Sequence, residues 1–222
     1  MPDFQTVSTA TIFIGLVVTV AFVVLIPDWR LGLYALAAQY VVAAVLLATL
    51  VPLPIALVRV VSGELTLIIL YFTARQRLEI FRRAYRAATD DAAREAVAQR
   101  YWRQIFVVGF PFRLFALALV AVGIIGLVSS MSFLGLTADI LFSGVWLMMG
   151  GILVAILSRD VLRLGLGILI FTSGFCILEI ATEESLLLYG LLNIADLLIA
   201  LVIAHLGALP ISDMLDQRGE SR

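Results

Sequence analysis

Long runs of apolar residues, separated by short polar breaks, dominate the pattern along this chain. A run of about 20 residues is long enough to cross the hydrocarbon of a membrane as a helix. The runs are continuous rather than alternating, and backbone groups in lipid must be satisfied within their own segment, so a β-barrel is excluded. We predict an all-α bundle of seven transmembrane helices over residues 9–26, 31–50, 55–74, 110–128, 136–157, 161–181 and 186–206.

The longest polar break, residues 75–104, also carries a helical pattern. Leu78, Phe81 and Tyr85 follow helical spacing, which predicts that the third helix continues as an amphipathic helix to about residue 87. The acidic residues at 90 and 91 favour a new helix start, so residues 92–104 are predicted to form a second helix. The whole segment is then a helical hairpin.

Composition agrees with a membrane location. Hydrophobic residues make up 63% of the chain and charged residues 14%, whereas a soluble domain carries roughly 25% charged residues. All 15 basic residues are arginine, and eight of them fall in residues 75–104. The single cysteine, Cys176, lies in an apolar run and cannot form an internal disulfide.

The arginines predict the orientation, because basic loops stay in the cytoplasm. With the N-terminus outside and the C-terminus in the cytoplasm, every loop that contains arginine falls on the inner side. Arg113 and Arg163 then sit at inner helix ends and are expected to snorkel toward the interface. An even number of helices would break this agreement. We expect a multi-pass protein of the cell inner (plasma) membrane.

Charged residues within the spans are the default functional candidates, because each costs about 2.5–3.5 kcal/mol on insertion scales. Glu64 and Asp196 lie at the midpoints of the third and seventh spans, which would allow both to join one polar layer with Gln39. Arg59, five residues earlier on the same helix and nearer the outer side, could share the charge of Glu64. Asn193, one turn before Asp196, could bond to Asp196 or to a neighbouring helix.

Two further titratable residues are candidates for an ion path. Glu179 lies near the outer end of the sixth span and His205 at the inner end of the seventh. Each is more often a helix-end group than a relay member. We nevertheless keep both residues in the set of ion-translocation candidates, which consists of Asp196, Glu64, Asn193, Arg59, His205 and Glu179.

The basic hairpin has two interpretations. It is either an ordinary positive loop on anionic headgroups or a docking surface for a cytoplasmic subunit, with Arg82, Arg83, Arg86, Arg100 and Arg103 as the docking candidates. The chain has no phosphate-binding glycine loop, no nucleophile elbow and no Cys or His cluster. We therefore predict no catalytic residue, no cofactor, no metal and no nucleic-acid partner. The glycine pairs 150–151, 165–167 and 123–126 are expected to be close-packing sites between helices.

The last three helices resemble a known family. The run Gly151 to Asp160, a span ending in a tight basic turn, and the run Asn193 to His205, an apolar helix with one acid, are similar to the small subunit K of NADH-quinone oxidoreductase. The resemblance extends to its relatives in hydrogenase-4-type complexes and Mrp-type cation antiporters. It covers residues 137–209. The family's second helix carries a mid-span glutamate, whereas residues 169–173 here contain no acid.

The resemblance implies a division of the chain and a function. Residues 1–130 would form a four-helix region, and residues 131–222 a three-helix unit like subunit K. The protein would then be a membrane subunit of a complex I-like or hydrogenase/antiporter-like assembly that contributes to proton or sodium translocation. Two alternatives stay open: a non-catalytic scaffold or assembly protein, and a small free-standing transporter. The expected partners are the lipid bilayer and other membrane subunits.

Overall fold

The computed structural model describes residues 9–26, 28–87, 91, 94–95, 109–130, 136–183 and 185–219. Within these ranges the chain is all-helical, as the sequence predicts. Seven helices can be delimited: α1 (Thr9–Leu25), α2 (Trp29–Leu47), α3 (Leu53–Ala87), α4 (Phe110–Ser130), α5 (Ala138–Leu157), α6 (Val161–Glu183) and α7 (Leu186–Gly219).

Length and composition make this chain a multi-pass integral membrane protein. Six of the delimited helices, α2 to α7, are long and apolar enough to cross a membrane. The other, α1, has 17 residues and is also strongly apolar. Within the described residues the starts of all seven helices match the predicted spans to within a few residues, and so do the ends of all but α3 and α7. Hydrocarbon thickness sets how long each apolar run must be.

Two predictions about helix ends have different outcomes. The third helix does continue into the basic segment, since α3 runs unbroken for 35 residues to Ala87. The predicted second helix, 92–104, falls mostly outside the described residues. The last helix, α7, continues beyond its apolar span to Gly219. Polarity ends the part of a helix that suits lipid, but it does not end the helix.

Glycines let α5 and α6 approach at backbone distance. A Cβ added at Gly167 would lie 2.7 Å from the carbonyl oxygen of Gly151, and one added at Gly174 would meet Gly144 similarly. The predicted packing role of Gly151 and Gly167 is thus confirmed. Gly123 and Gly126 do not pack this way among the described residues, because no described atom lies within 4 Å of a Cβ at either position.

Two arginines from other helices close the C-terminal end of α1. Arg113 of α4 donates to the carbonyl oxygen of Leu25 at 2.9 Å, and Arg163 of α6 donates to that of Ile26 at 2.5 Å. The last carbonyls of a helix have no partner within the helix, and cations there are also favoured by the helix dipole. The snorkelling expectation is wrong, because Arg113 and Arg163 are 6% and 3% exposed.

Contacts between helices bring the residues predicted to be cytoplasmic to one end of the bundle. The end of α1 meets the starts of α4 and α6 there, and Arg77 of α3 lies 2.6 Å from Asp160 in the turn between α5 and α6. The absolute orientation stays a prediction. The division at residues 130 and 131 also stays a prediction, although α3 packs against α7 and α2 against α6 across it.

Candidate functional site

An arginine and an aspartate form a fully buried ion pair in the middle of the bundle. Nη1 of Arg59, from α3, lies 2.7 Å from Oδ2 of Asp196, from α7, and neither side chain is exposed to any degree. Asp196 is near the midpoint of the span Leu186–Gly207. The pair therefore lies near the middle of the membrane, far from water on either side.

The carboxylate of Asp196 accepts two further hydrogen bonds from two other helices. The hydroxyl of Tyr40, on α2, donates to Oδ2 at 3.2 Å. The hydroxyl of Thr172, on α6, donates to Oδ1 at 2.6 Å. Four helices thus meet at one carboxylate, and both of its oxygens are occupied.

The guanidinium of Arg59 has partners besides Asp196. Nη1 also donates to Oδ1 of Asn193 at 3.2 Å, and Nη2 donates to Oγ of Ser173 at 2.6 Å. Its central carbon lies 4.9 Å from the centroid of the Tyr40 ring, within the range of a cation–π contact. The positive charge is therefore held by a carboxylate, an amide, a hydroxyl and an aromatic face.

Asn193 connects Arg59 to Ser62 on α3 and to the α7 backbone. Its Oδ1 accepts from the hydroxyl of Ser62 at 2.6 Å, and its Nδ2 donates to the carbonyl of Tyr189 at 2.8 Å. We refer to the whole set as the charge cluster; it consists of Tyr40, Arg59, Ser62, Thr172, Ser173, Asn193 and Asp196.

A glycine makes room for the cluster. A Cβ added at Gly63 would lie 2.4 Å from Cγ of Tyr40, so the Tyr40 ring packs directly on the α3 backbone. This close approach, which the Ser62-Gly63 pair suggests from the sequence, lets the Tyr40 hydroxyl reach Asp196 while its ring covers Arg59. Small residues at helix interfaces in lipid serve this purpose in general.

Three of the predicted site residues come together and the others do not. Arg59, Asn193 and Asp196 share the cluster. Glu64 is exposed and lines a groove of about 480 Å³ between α2 and α3. The expectation that Arg59 shares the charge of Glu64 is wrong, because the partner of Arg59 is Asp196.

Other predicted residues lie away from the cluster. His205 is exposed on α7, and Glu179 is buried on α6. Gln39 is buried, but neither of its amide atoms has a hydrogen-bond partner among the described residues. The expectation that Gln39 joins the polar layer is therefore wrong. Of the docking candidates, Arg82, Arg83 and Arg86 are exposed, while Arg100 and Arg103 lie outside the described residues.

Sequence reasoning missed the hydroxyl partners, which are Tyr40, Thr172 and Ser173. Hydroxyl residues are common in transmembrane helices, so nothing in their spacing distinguishes a partner of a buried charge from an ordinary packing residue. The available signal was their depth, because all three lie near the middle of α2 or α6.

Within the described residues, no three His, Cys, Asp or Glu side chains gather in a way that could hold a metal ion. No protein-family model, curated protein or solved structure matches the chain. The function is therefore inferred from the charge cluster.

Proposed function

We propose that this protein is an integral membrane subunit of a complex I-like or hydrogenase/antiporter-like assembly in the inner (plasma) membrane. Its charge cluster contributes to the translocation of protons or sodium ions. The observation that carries the proposal is the buried Arg59–Asp196 pair at mid-depth, joined to four helices. Ionisable residues inside a membrane mark ion pathways by default.

Arg59 has hydrogen-bond partners that would remain if Asp196 lost its negative charge. If Asp196 takes up a proton or a sodium ion, it no longer neutralises the guanidinium. Arg59 would still be held by Asn193 and Ser173, through bonds that do not involve Asp196. The cluster can therefore keep these two hydrogen bonds to its arginine in both charge states of the aspartate, which helps a relay group.

The hydroxyls of Tyr40 and Thr172 suit the same role. A hydroxyl can donate to a charged carboxylate and can rotate to accept from a protonated one. Their two hydrogen bonds thus support Asp196 before and after proton uptake. The hydroxyl of Thr172 also lies 3.0 Å from the carbonyl oxygen of Leu169, which it can turn toward when Asp196 is neutral.

A non-catalytic scaffold is the second candidate, and one observation favours it. Both oxygens of Asp196 already have partners, as a structural tie between helices would require. The exposed arginines 82, 83 and 86 at the end of α3 would then dock a cytoplasmic subunit.

Ion flux in native membrane vesicles separates these candidates. We compare the wild type with Asp196→Asn and with the double variant Arg59→Gln/Asp196→Asn, which removes both charges but keeps hydrogen-bonding groups. Asp139→Asn is the control, because it removes an exposed carboxylate at the start of α5, outside the cluster. A translocation subunit loses at least tenfold of its proton or sodium uptake in both cluster variants and keeps it in the control.

The same cells test membership of an assembly. The tagged protein, extracted in mild detergent, should migrate with other membrane subunits in wild type and double variant alike. Recovery of the chain alone from native membranes would contradict the subunit proposal. An intact assembly with undiminished flux in the double variant would instead identify a scaffold.

A further inference from the structure

A groove opens at the Glu183 end of α6, away from the charge cluster. It is bounded by α5, α6 and α7 and has a volume of about 380 Å³. Small-molecule sites in proteins usually measure about 300–1,000 Å³, so the groove is large enough for an organic ligand. Its walls are mainly apolar and include Leu141, Val145, Met148, Phe175 and Leu188.

One buried carboxylate lines this groove without a partner. Glu179 is 6% exposed, and neither of its carboxylate oxygens has a hydrogen-bond partner among the described residues. Glu183, one turn further along α6, lines the same groove and is exposed at its rim. A buried charged group without a partner is costly. A cation from outside the described residues would therefore stabilise Glu179 in this groove.

No basic side chain among the described residues pairs with Glu179. The sequence contains no arginine or lysine between Arg113 and Arg159, or between Arg163 and Arg218. Arg163 donates to the end of α1, and Arg59 pairs with Asp196. Residues 131–135 and 184, which adjoin the lining residues Leu136 and Glu183 in the sequence, include no basic residue either.

The lining disfavours a bare metal ion. Calcium takes six to eight oxygen ligands, and magnesium demands near-octahedral geometry. Among the residues that line the groove, only Glu179, Thr182 and Glu183 carry side-chain oxygens, and the Thr182 hydroxyl already bonds backbone carbonyls of its own helix. An apolar cleft with one buried carboxylate and the aromatic ring of Phe175 fits an organic cation better.

We propose that this groove binds an ammonium group carried on an apolar body, with Glu179 as its counter-ion. Two sources share this chemistry: the headgroup of an aminophospholipid and a free organic amine. The apolar walls contact the body of the ligand, and the carboxylate of Glu179 pairs with its nitrogen. Glu183 at the rim adds negative charge that draws cations toward the opening.

Direct binding tests the proposal with benzyltrimethylammonium as the probe. The purified full chain, in uncharged maltoside micelles, is titrated with the probe and with neopentylbenzene, in which carbon replaces the charged nitrogen. We expect saturable binding of the cation, with Kd at least tenfold weaker in Glu179→Gln. Glu64→Gln, the matched control, should bind as the wild type does. Equal binding by Glu179→Gln and wild type would overturn the proposal.

A second measurement uses the wild type alone, in case the variant does not fold. Dicyclohexylcarbodiimide modifies carboxyl groups in apolar surroundings, and mass spectrometry maps the labelled residue. The probe should slow labelling of Glu179 at least threefold, and neopentylbenzene should not. Equal protection by the neutral compound would overturn the proposal, because the groove would then be merely apolar.

Adding lipid to the same labelling reaction identifies the source of the ammonium group. Protection of Glu179 by phosphatidylethanolamine, but not by phosphatidylglycerol, supports the site and indicates a lipid headgroup. Protection by the probe but by neither lipid supports the site and indicates a free amine. If neither the probe nor phosphatidylethanolamine protects Glu179, the proposal is wrong.

Discussion

Asp196 and Glu179 are both buried carboxylates in the second half of the chain, yet their surroundings are opposite. Asp196 accepts from three side chains on three other helices, and an arginine neutralises it. Glu179 has no hydrogen-bond partner among the described residues and lines an open groove. Burial alone therefore does not define the role of a membrane carboxylate; its partners within the chain do.

The contrast separates two kinds of cost. Side chains from three other helices compensate the charge of Asp196, so removing Arg59 or Asp196 leaves the remaining charge of the pair uncompensated. At Glu179 no compensating group among the described residues would be lost. Substitutions at the two places should consequently differ strongly in their effect on stability, and the following predictions use that difference.

The largest effect is expected at the ion pair. Arg59→Met leaves Asp196 buried without its cation, and breaking one side of a buried pair costs about 3–5 kcal/mol. Unfolding of the purified protein in maltoside micelles with increasing dodecyl sulfate, followed by circular dichroism, measures the loss. A change below about 1 kcal/mol would show that the pair contributes little.

Removing both charges should reverse most of that loss. In Arg59→Met/Asp196→Leu, no uncompensated charge remains, and replacing a buried pair with apolar residues is often neutral or stabilising. The same unfolding assay should return to within about 1–2 kcal/mol of the wild type. A double variant as unstable as Arg59→Met would mean that the remaining hydroxyls and Asn193 depend on the pair.

The next effect is expected where the cluster meets the α3 backbone. Gly63→Ala places a methyl group against the Tyr40 ring, and forcing extra volume into a packed site costs about 1–3 kcal/mol. Gly123→Ala is the matched control, because no described atom lies within 4 Å of a Cβ there. Equal stability of the two variants would contradict the close approach of α2 and α3.

A smaller effect is expected from one hydroxyl. Tyr40→Phe keeps the ring over Arg59 but removes the hydrogen bond to Asp196, which should cost about 0.5–1.5 kcal/mol in the same assay. Because the ring stays, the variant isolates the hydroxyl from the packing. No measurable change would indicate that Arg59 and Thr172 satisfy Asp196 without Tyr40.

The smallest effect is expected at the carboxylate without partners. Glu179→Gln breaks no hydrogen bond of the described residues and removes an uncompensated buried carboxylate, so its free energy of unfolding in the absence of ligand should fall by no more than about 0.5 kcal/mol below that of the wild type. The purified protein is compared without added lipid or amine. A loss as large as that of Arg59→Met would show that Glu179 has a structural partner within the chain.

Hydropathy predicts the helices well but the pairing inside the bundle poorly. The spans follow from hydrocarbon thickness, and charge within the spans singles out Asp196, Arg59 and Glu64. The mistaken Arg59–Glu64 pairing ignores helix geometry, because residues three or four apart share a face while residues five apart diverge.

The true partner of Arg59 lies 137 positions further along the chain, and no local periodicity contains that information. The same holds for Tyr40 and Asp196, which are 156 residues apart. The groove at Glu179 was equally hidden, since it arises only when α5, α6 and α7 are packed together.

The arginines at the end of α1 set an order on the maturation of this protein. α1 leaves the ribosome before α4 and α6, because Arg113 follows its partner Leu25 by 88 residues and Arg163 follows Ile26 by 137. Until α6 has been synthesised, the exposed end of α1 must rely on water or lipid headgroups for hydrogen bonds. An earlier helix is thus secured by a later one, and a chain truncated before residue 163 would leave α1 only partly anchored.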